Sequence, residues 1–198
     1  SLFSLVEGSP LLLRENPAWG SWMVDIRDPR WKGLIIDQAK AIRKAGFNGL
    51  FLDTLDTPLE LERQAPERFK GMRQALLSLV RSLRRALPKN FLLCQNRGLE
   101  VAPETAPFLT LLCLESFLAR SDAAEGVYTV VSEDVRAELL PFVEEARRAN
   151  PELVLLSLDY APHPAHPLAL NAVEQAREAG FVPSVNTHEL DTAFPPLP

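Results

Sequence analysis

At 198 residues, with 46% hydrophobic and 24% charged side chains, the chain has the size and composition of one globular domain with ample material for a core. Its formal charge of −5 argues against the basic face that nucleic acid or an anionic membrane requires, and no run approaches the ~20 apolar residues of a membrane span. Cys94 and Cys113 each lie inside a short apolar run and read as buried free thiols rather than a disulfide.

In chain order, Leu2–Val6 and Leu11–Leu13 carry only weak strand patterns. Ser21–Ile26 reads as a short strand with Asp25 at its end. Asp28-Pro29 then opens a helix from about Lys32 to Ala45, striped by Ile35, Ile36, Ala39 and Ile42. Gly46 ends that helix, Asn48-Gly49 turns the chain, and Leu50-Phe51-Leu52 form the unbroken apolar run of a strand covered on both faces. Asp53 and Asp56 follow at its C-terminal end, where parallel α/β folds carry their chemistry, although Asp56 equally suits capping the next element. A loop of about ten residues should lead to one long helix from Pro66 to Leu87, with apolar residues at three- and four-residue steps.

Phe91–Cys94 is the next strand, followed by Gln95-Asn96-Arg97-Gly98. A short helix near Thr105–Leu109 precedes the strand Leu111–Leu114, which ends in Glu115-Ser116. A polar loop through Ser121–Gly126 comes before helical sequence from Ser132 to Ala149, which Pro141 should break or restart because it cannot donate a helical hydrogen bond. Val154–Leu158 is a strand ending at Asp159-Tyr160, His166–Ala179 a helix, and Phe181–Val185 the last strand. The proline-rich tail begins at Phe194.

Strands alternating with helices predict a parallel sheet with short connections. Asp25, Asp53, Asn96, Glu115, Asp159 and Asn186 all stand at strand ends, and they converge only if the strands surround one mouth. That favours an α/β (β/α)8 TIM-type barrel over an open sheet, within a single domain spanning residues 1–198. About six strands are legible against the eight of a closed barrel.

Two carboxylates, one protonated and one ionised, are the minimum equipment for cleaving a glycosidic bond. Asp53 and Glu115 form the best pair, because each directly follows an apolar strand. Trp19, Trp22, Asn96, Phe117 and Tyr160 supply aromatic and amide groups for a sugar, against core packing as the plainer reading of the tryptophans. Carboxylates at such a mouth also suit Mg²⁺, with Asp25, Asp53 and Asp56 as the rival ligand set, but no phosphate-gripping glycine loop accompanies them. His163-Pro-Ala-His166 has metal-ligand spacing with only Asp159 near it in the sequence, so the expectation is no metal and no cofactor.

The motifs Trp22-Met-Val-Asp-Ile-Arg-Asp28, Gly46-Phe-Asn-Gly-Leu-Phe-Leu-Asp-Thr-Leu-Asp56, Gln95-Asn96, Glu115, Leu158-Asp-Tyr-Ala161 and Gly180-Phe-Val-Pro183 occur in an order that resembles glycoside hydrolase family 114. This is the endo-α-1,4-polygalactosaminidase-like group related to spherulin-4, and the resemblance runs from about Trp19 to Leu190. It implies a TIM-type barrel that hydrolyses galactosamine-containing polysaccharide outside the cell, with any signal lying upstream of Ser1. By analogy with retaining α-glycosidases it makes Asp53 the nucleophile or ion stabiliser and Glu115 the acid/base. Asp25, Asp56, Asn96, Asp159 and Tyr160 then contact the substrate or support those that do.

Departures from the family pattern are Asn48 in place of Asp, and Thr57-Pro-Leu-Glu-Leu-Glu62 where the family often has aromatic residues. The family's opening strands, with a segment like Tyr-x-Ser-x-Gly-Glu, have no counterpart here. The resemblance therefore implies a barrel without its first strands, whose open side a partner or second copy would cover. A non-catalytic carbohydrate-binding barrel is the alternative reading.

Overall fold

The structure, a computed structural model, describes residues 11–16, 20–122, 126–191 and 194. The strand expected at Leu2–Val6, and Trp19, lie outside the described residues. The chain divides into two compact units, one of residues 1–50 and 54–92, the other of residues 51–53 and 93–198.

In the first unit, β1 (Leu12–Asn16) and β2 (Ser21–Val24) form an antiparallel hairpin with Glu15 opposite Trp22. The strand expected at Ser21–Ile26 is therefore one arm of a hairpin rather than a member of the parallel set, because the pattern at Leu11–Leu13 continues into a full pairing partner. Helix α1 (Pro29–Lys44) starts where Asp28 accepts the Arg30 N–H, with Pro29 in its first turn, and it ends with Arg43 and Lys44 complementing the helix dipole. β3 (Gly49–Leu52) begins beside Leu92, whose N–H donates to the Asn48 carbonyl at 2.9 Å.

The ten-residue loop expected after Asp56 is instead the helix α2 (Thr57–Gln64), entered through Pro58 and anchored by buried Leu59 and Leu61. The single helix expected over residues 66–87 is two, α3 (Pro66–Phe69) and α4 (Met72–Ala86). Gly71, at φ 90°, parts them, and only glycine takes that backbone cheaply. Gly71 has no side chain with which to cap α4. Glu62 of α2 does so instead, accepting the N–H groups of Gly71 at 2.9 Å and Arg73 at 2.7 Å. The core here gathers Leu61, Phe69 and Met72, with Leu13, Met23, Ile26 and Ala65 packed against them.

The strands β4 (Leu92–Asn96), β5 (Leu111–Glu115), β8 (Val154–Tyr160) and β9 (Val182–Asn186) join β3 in one five-stranded sheet of order β3-β4-β5-β8-β9. The pairs β4–β5, β5–β8 and β8–β9 are parallel. Helix α5 (Ala102–Thr105) lies between β4 and β5, α6 (Glu133–Ala149) before β8, and α7 (Pro167–Glu178) between β8 and β9. Leu93, Leu112, Leu114, Ala146, Ala172 and Ala176 are all but fully buried in this second unit.

Pro141 lies inside an unbroken α6 rather than dividing it. The proline is exposed, so the carbonyl it leaves without a donor faces water, while Val143 and Ala146 hold the inner face of the helix. The expected polar loop at Ser121–Gly126 is the tip of an antiparallel hairpin formed by β6 (Ala119–Asp122) and β7 (Val127–Val130). With β3 and β9 at the ends of the sheet order, the ring of strands is not closed among the described residues.

Candidate active site

The register of the second unit brings its polar strand ends together. Asn96 lies beside Cys113, Glu115 beside Leu158, and Tyr160 beside Asn186. Main-chain bonds past the strand ends extend the pairing. Arg97 N–H donates to the Cys113 carbonyl at 2.9 Å, Ser116 N–H to Leu158 at 2.7 Å, and Ala161 N–H to Asn186 at 2.9 Å. Arg97 also donates through its guanidinium to the Glu115 carbonyl at 2.7 Å, which fixes the end of β4 against the end of β5.

At the centre, the Asn96 amide nitrogen donates to Asp53 Oδ1 at 2.9 Å and to Glu115 Oε2 at 2.7 Å. Its orientation follows from chemistry, since a flipped amide would turn its oxygen toward two carboxylates. The bridge also limits the spacing of the pair. Asp53 Oδ1 and Glu115 Oε2 can be no further apart than the sum of 2.9 and 2.7 Å, 5.6 Å. Asn96 is buried, Glu115 half-buried and Asp53 exposed, so the two carboxylates are reachable above a fixed amide floor.

Tyr160 donates to Glu115 Oε1 at 2.5 Å. Burial, followed by the Glu115 hydrogen bond and charge, raises the phenol well above its ordinary pKa, which keeps it a proton-bearing donor. Beneath these groups, burial pushes Cys113 up to about 12 and Cys94 up to about 11, and both are free thiols, as their apolar runs suggested.

A second layer of polar groups holds the first in place. Gln95 Nε2 donates to the carbonyls of Arg97 at 2.8 Å and Gly98 at 3.1 Å, and its Oε1 accepts from Thr105 at 2.7 Å. Asp159, fully buried, accepts the N–H groups of Leu118 at 2.6 Å and Ala119 at 2.9 Å and so fastens the start of β6 to β8. Desolvation raises its pKa against the lowering effect of those donors. Beyond β9, His188 Nδ1 shares a hydrogen bond with Ser121 Oγ at 2.8 Å, and His188 N–H donates to Tyr128 Oη at 3.4 Å.

Of the residues expected at the site, Asp53, Asn96, Glu115 and Tyr160 meet in one hydrogen-bonded cluster. Asp159 faces inward behind them. Asp25 and Asp56 belong to the first unit. Asp25 pairs with Arg27 through Nε at 2.8 Å and Nη2 at 2.7 Å, which lowers its pKa, while Arg27 also donates to the carbonyls of Arg68 and Lys70. Asp56 stands at the N-cap position of α2 without a side-chain capping bond.

Phe117, expected to line a sugar, is instead core. It is 2% exposed and stacks on Phe181 at 4.7 Å, because Ser116 turns the chain inward after β5. His166 spends its Nδ1 capping α7 through the Leu168 N–H. Thr105, Ser121 and Tyr128 went unmarked in the sequence, where isolated hydroxyls give no signal of the partner they will meet. An amide bridging two carboxylates, one of them accepting a tyrosine hydrogen bond, can hold one acid and one base on either side of a small electrophilic centre.

The model of the glycoside-hydrolase family GH114 matches residues 7–195. An uncharacterized protein of Deinococcus radiodurans is 28% identical over 193 residues, which are 93% of this chain and 58% of that protein, so the chain spans little more than half of that relative's length. The solved glycoside hydrolase domain of PelA from Pseudomonas aeruginosa is 33% identical, with a TM-score of 0.78 over 96% of this chain and 74% of that one. Aspergillus fumigatus Ega3, solved in complex with galactosamine, is similar in fold, with a TM-score of 0.62 at 13% identity over 91% of this chain and 66% of that one. The fold class shared with these structures is the TIM-type α/β barrel.

Proposed function

The chain belongs to glycoside-hydrolase family GH114, and from that membership we propose that it cleaves α-linked galactosamine-containing polysaccharide through Asp53 and Glu115. Galactosamine, bound to Ega3, and the likeness to the PelA hydrolase domain support this substrate class. A polymer of that kind lies outside the cell, so the reading carries with it an extracytoplasmic site of action. It also treats the 198 residues as one partial barrel domain.

The observation that carries the reaction is the Asn96 bridge. Carboxylates about 5–5.5 Å apart suit a double displacement, whereas an inverting pair stands about 6.5–9.5 Å apart to admit water. The upper bound of 5.6 Å between the bridged oxygens supports the retaining course. Glu115 then gives its proton to the glycosidic oxygen as that bond breaks, and Asp53 bonds to the anomeric carbon. In the second step Glu115 takes a proton from water, whose oxygen displaces Asp53 and restores both groups. Asn96 orients the two carboxylates, and Tyr160 keeps Glu115 in one rotamer across both steps.

The test is a pair of variants on two substrates. Asp53→Asn should lower turnover by on the order of 10³-fold or more on both a galactosamine oligosaccharide and an aryl galactosaminide. Glu115→Gln should lose the oligosaccharide equally, retain more of the aryl substrate, whose leaving group needs no proton, and recover rate with azide. Both variants should still bind oligosaccharide. Azide rescue of Asp53→Asn that yields a glycosyl azide of retained configuration would reverse the two roles, a result that the two donors on Glu115 would accommodate. Binding without turnover in the unaltered protein would favour the carbohydrate-binding barrel.

A further inference from the structure

Hydrogen bonds that the reaction above does not use join the β6–β7 hairpin to the residues after β9. Asp159 fixes the base of the hairpin through the Leu118 and Ala119 N–H groups, and Ser121 and Tyr128 hold His188 by its ring and its main chain. The His188 ring centroid lies 6.0 Å from that of Tyr160, with the planes inclined by 55°. The Tyr160 hydroxyl in turn rests on Glu115 Oε1, whereas Asp53 connects to Glu115 through the other oxygen, Oε2, by way of Asn96. His188 is therefore linked to Glu115 through Tyr160 and Oε1, whereas Asp53 is linked to it through Asn96 and Oε2. His188 is half-buried, and with Nδ1 engaged by Ser121, its Nε2 is the ring atom left to meet a ligand.

We propose that His188 is a specificity-determining contact for the leaving-group sugar, the residue of the glycan whose glycosidic oxygen Glu115 protonates. This inference rests on the glycosidase reading and extends it to the substrate's other half. A cleaved polymer presents a second sugar ring beyond the scissile oxygen, with ring hydroxyls and an amino or acetamido group to share a hydrogen bond with an imidazole. An aryl glycoside presents none of these. Ser121 holds the imidazole plane, so the hydrogen bond is made without ordering a free side chain.

The experiment compares kcat/KM for an α-linked galactosamine oligosaccharide with that for nitrophenyl α-galactosaminide in the unaltered protein and in His188→Ala. Loss of one hydrogen bond should lower the oligosaccharide-to-aryl ratio about tenfold, chiefly through KM for the oligosaccharide. Ser121→Ala should lower the same ratio by less. If His188→Ala lowers the thermal midpoint severely, His188→Gln, which keeps a polar group toward Ser121, decides on the same two substrates. An equal fall on both substrates would make His188 a support for Glu115 instead, and no change on either substrate would remove it from the site. Failure of the unaltered protein to hydrolyse either substrate would overturn the glycosidase reading, and this inference with it.

Discussion

Thr54, Arg97 and Ser116 follow Asp53, Asn96 and Glu115 directly, and each has a left-handed backbone, with φ of 56°, 52° and 55°. None is glycine, and Thr54 is β-branched, so each conformation carries a local cost on the order of 1–3 kcal/mol. At Ser116 the reason is visible. The left-handed turn points the Ser116 N–H at the Leu158 carbonyl and sends Phe117 into the core, leaving Glu115 fixed at the strand end. Ser116→Gly should therefore raise stability by about 1 kcal/mol in urea unfolding, since glycine adopts this backbone without strain. The same change should lower kcat several-fold, because the freed turn lets the Glu115 main chain move. A stability gain with unaltered kcat would show that the turn serves folding alone. The placement of Asp53, Asn96, Glu115 and Tyr160 at the ends of strands was legible in the sequence, Asp53 and Glu115 directly after apolar runs and Asn96 and Tyr160 one polar residue later. The three left-handed residues were not, since Thr, Arg and Ser carry no signal for that backbone, and Phe117 was misjudged for want of it.

Among the elements, those with a strong period were legible and those made by tertiary contact were not. β4, β5, β8, α6 and α7 follow from apolar runs or helical stripes. α2 was hidden by Pro58 and four acidic residues in the run Asp53–Gln64, and its buried Leu59 and Leu61 decided the outcome. The β6–β7 hairpin depends on cross-strand pairs such as Ser121 with Tyr128, which no single segment reveals. Where two elements meet most closely, the structure demands glycine. A Cβ on Gly49 would lie 2.8 Å from Leu92 Cβ and 2.9 Å from the Leu92 carbonyl oxygen. That oxygen is main chain and cannot swing away, because the Leu92 N–H is already bonded to Asn48. Gly49→Ala should thus cost about 1–3 kcal/mol, read as a lower urea midpoint with unchanged slope. An unaffected midpoint would mean that the start of β3 yields without loss of its pairing.

At the scale of the whole molecule, the carboxylates with displaced pKa values among the described residues sort by unit. Asp25, Asp28 and Glu62 of the first unit are all lowered, by the Arg27 hydrogen bond, by the Arg30 hydrogen bond, and by the N–H groups of Arg73 and Gly71, respectively. Asp159 of the second unit is raised, by burial. A lowered carboxylate stabilises the fold above its unfolded value, near pH 4, and that contribution is lost as pH falls through the folded value. Asp159 has the opposite sign. Its contribution is complete below its unfolded pKa and is lost as pH rises through its raised folded value. Thermal unfolding should accordingly show a midpoint that falls with acidification below about pH 4, and Glu62→Gln should flatten that fall. Asp159→Asn should leave the midpoint at pH 7 equal to or above that of the unaltered protein, because the amide oxygen can still accept from Leu118 and Ala119 without burying a charge. Its advantage should shrink as pH drops and the unaltered Asp159 becomes neutral. A large loss of stability in Asp159→Asn at pH 7 would mean that the charge itself, held by two main-chain donors, is what binds the hairpin to β8.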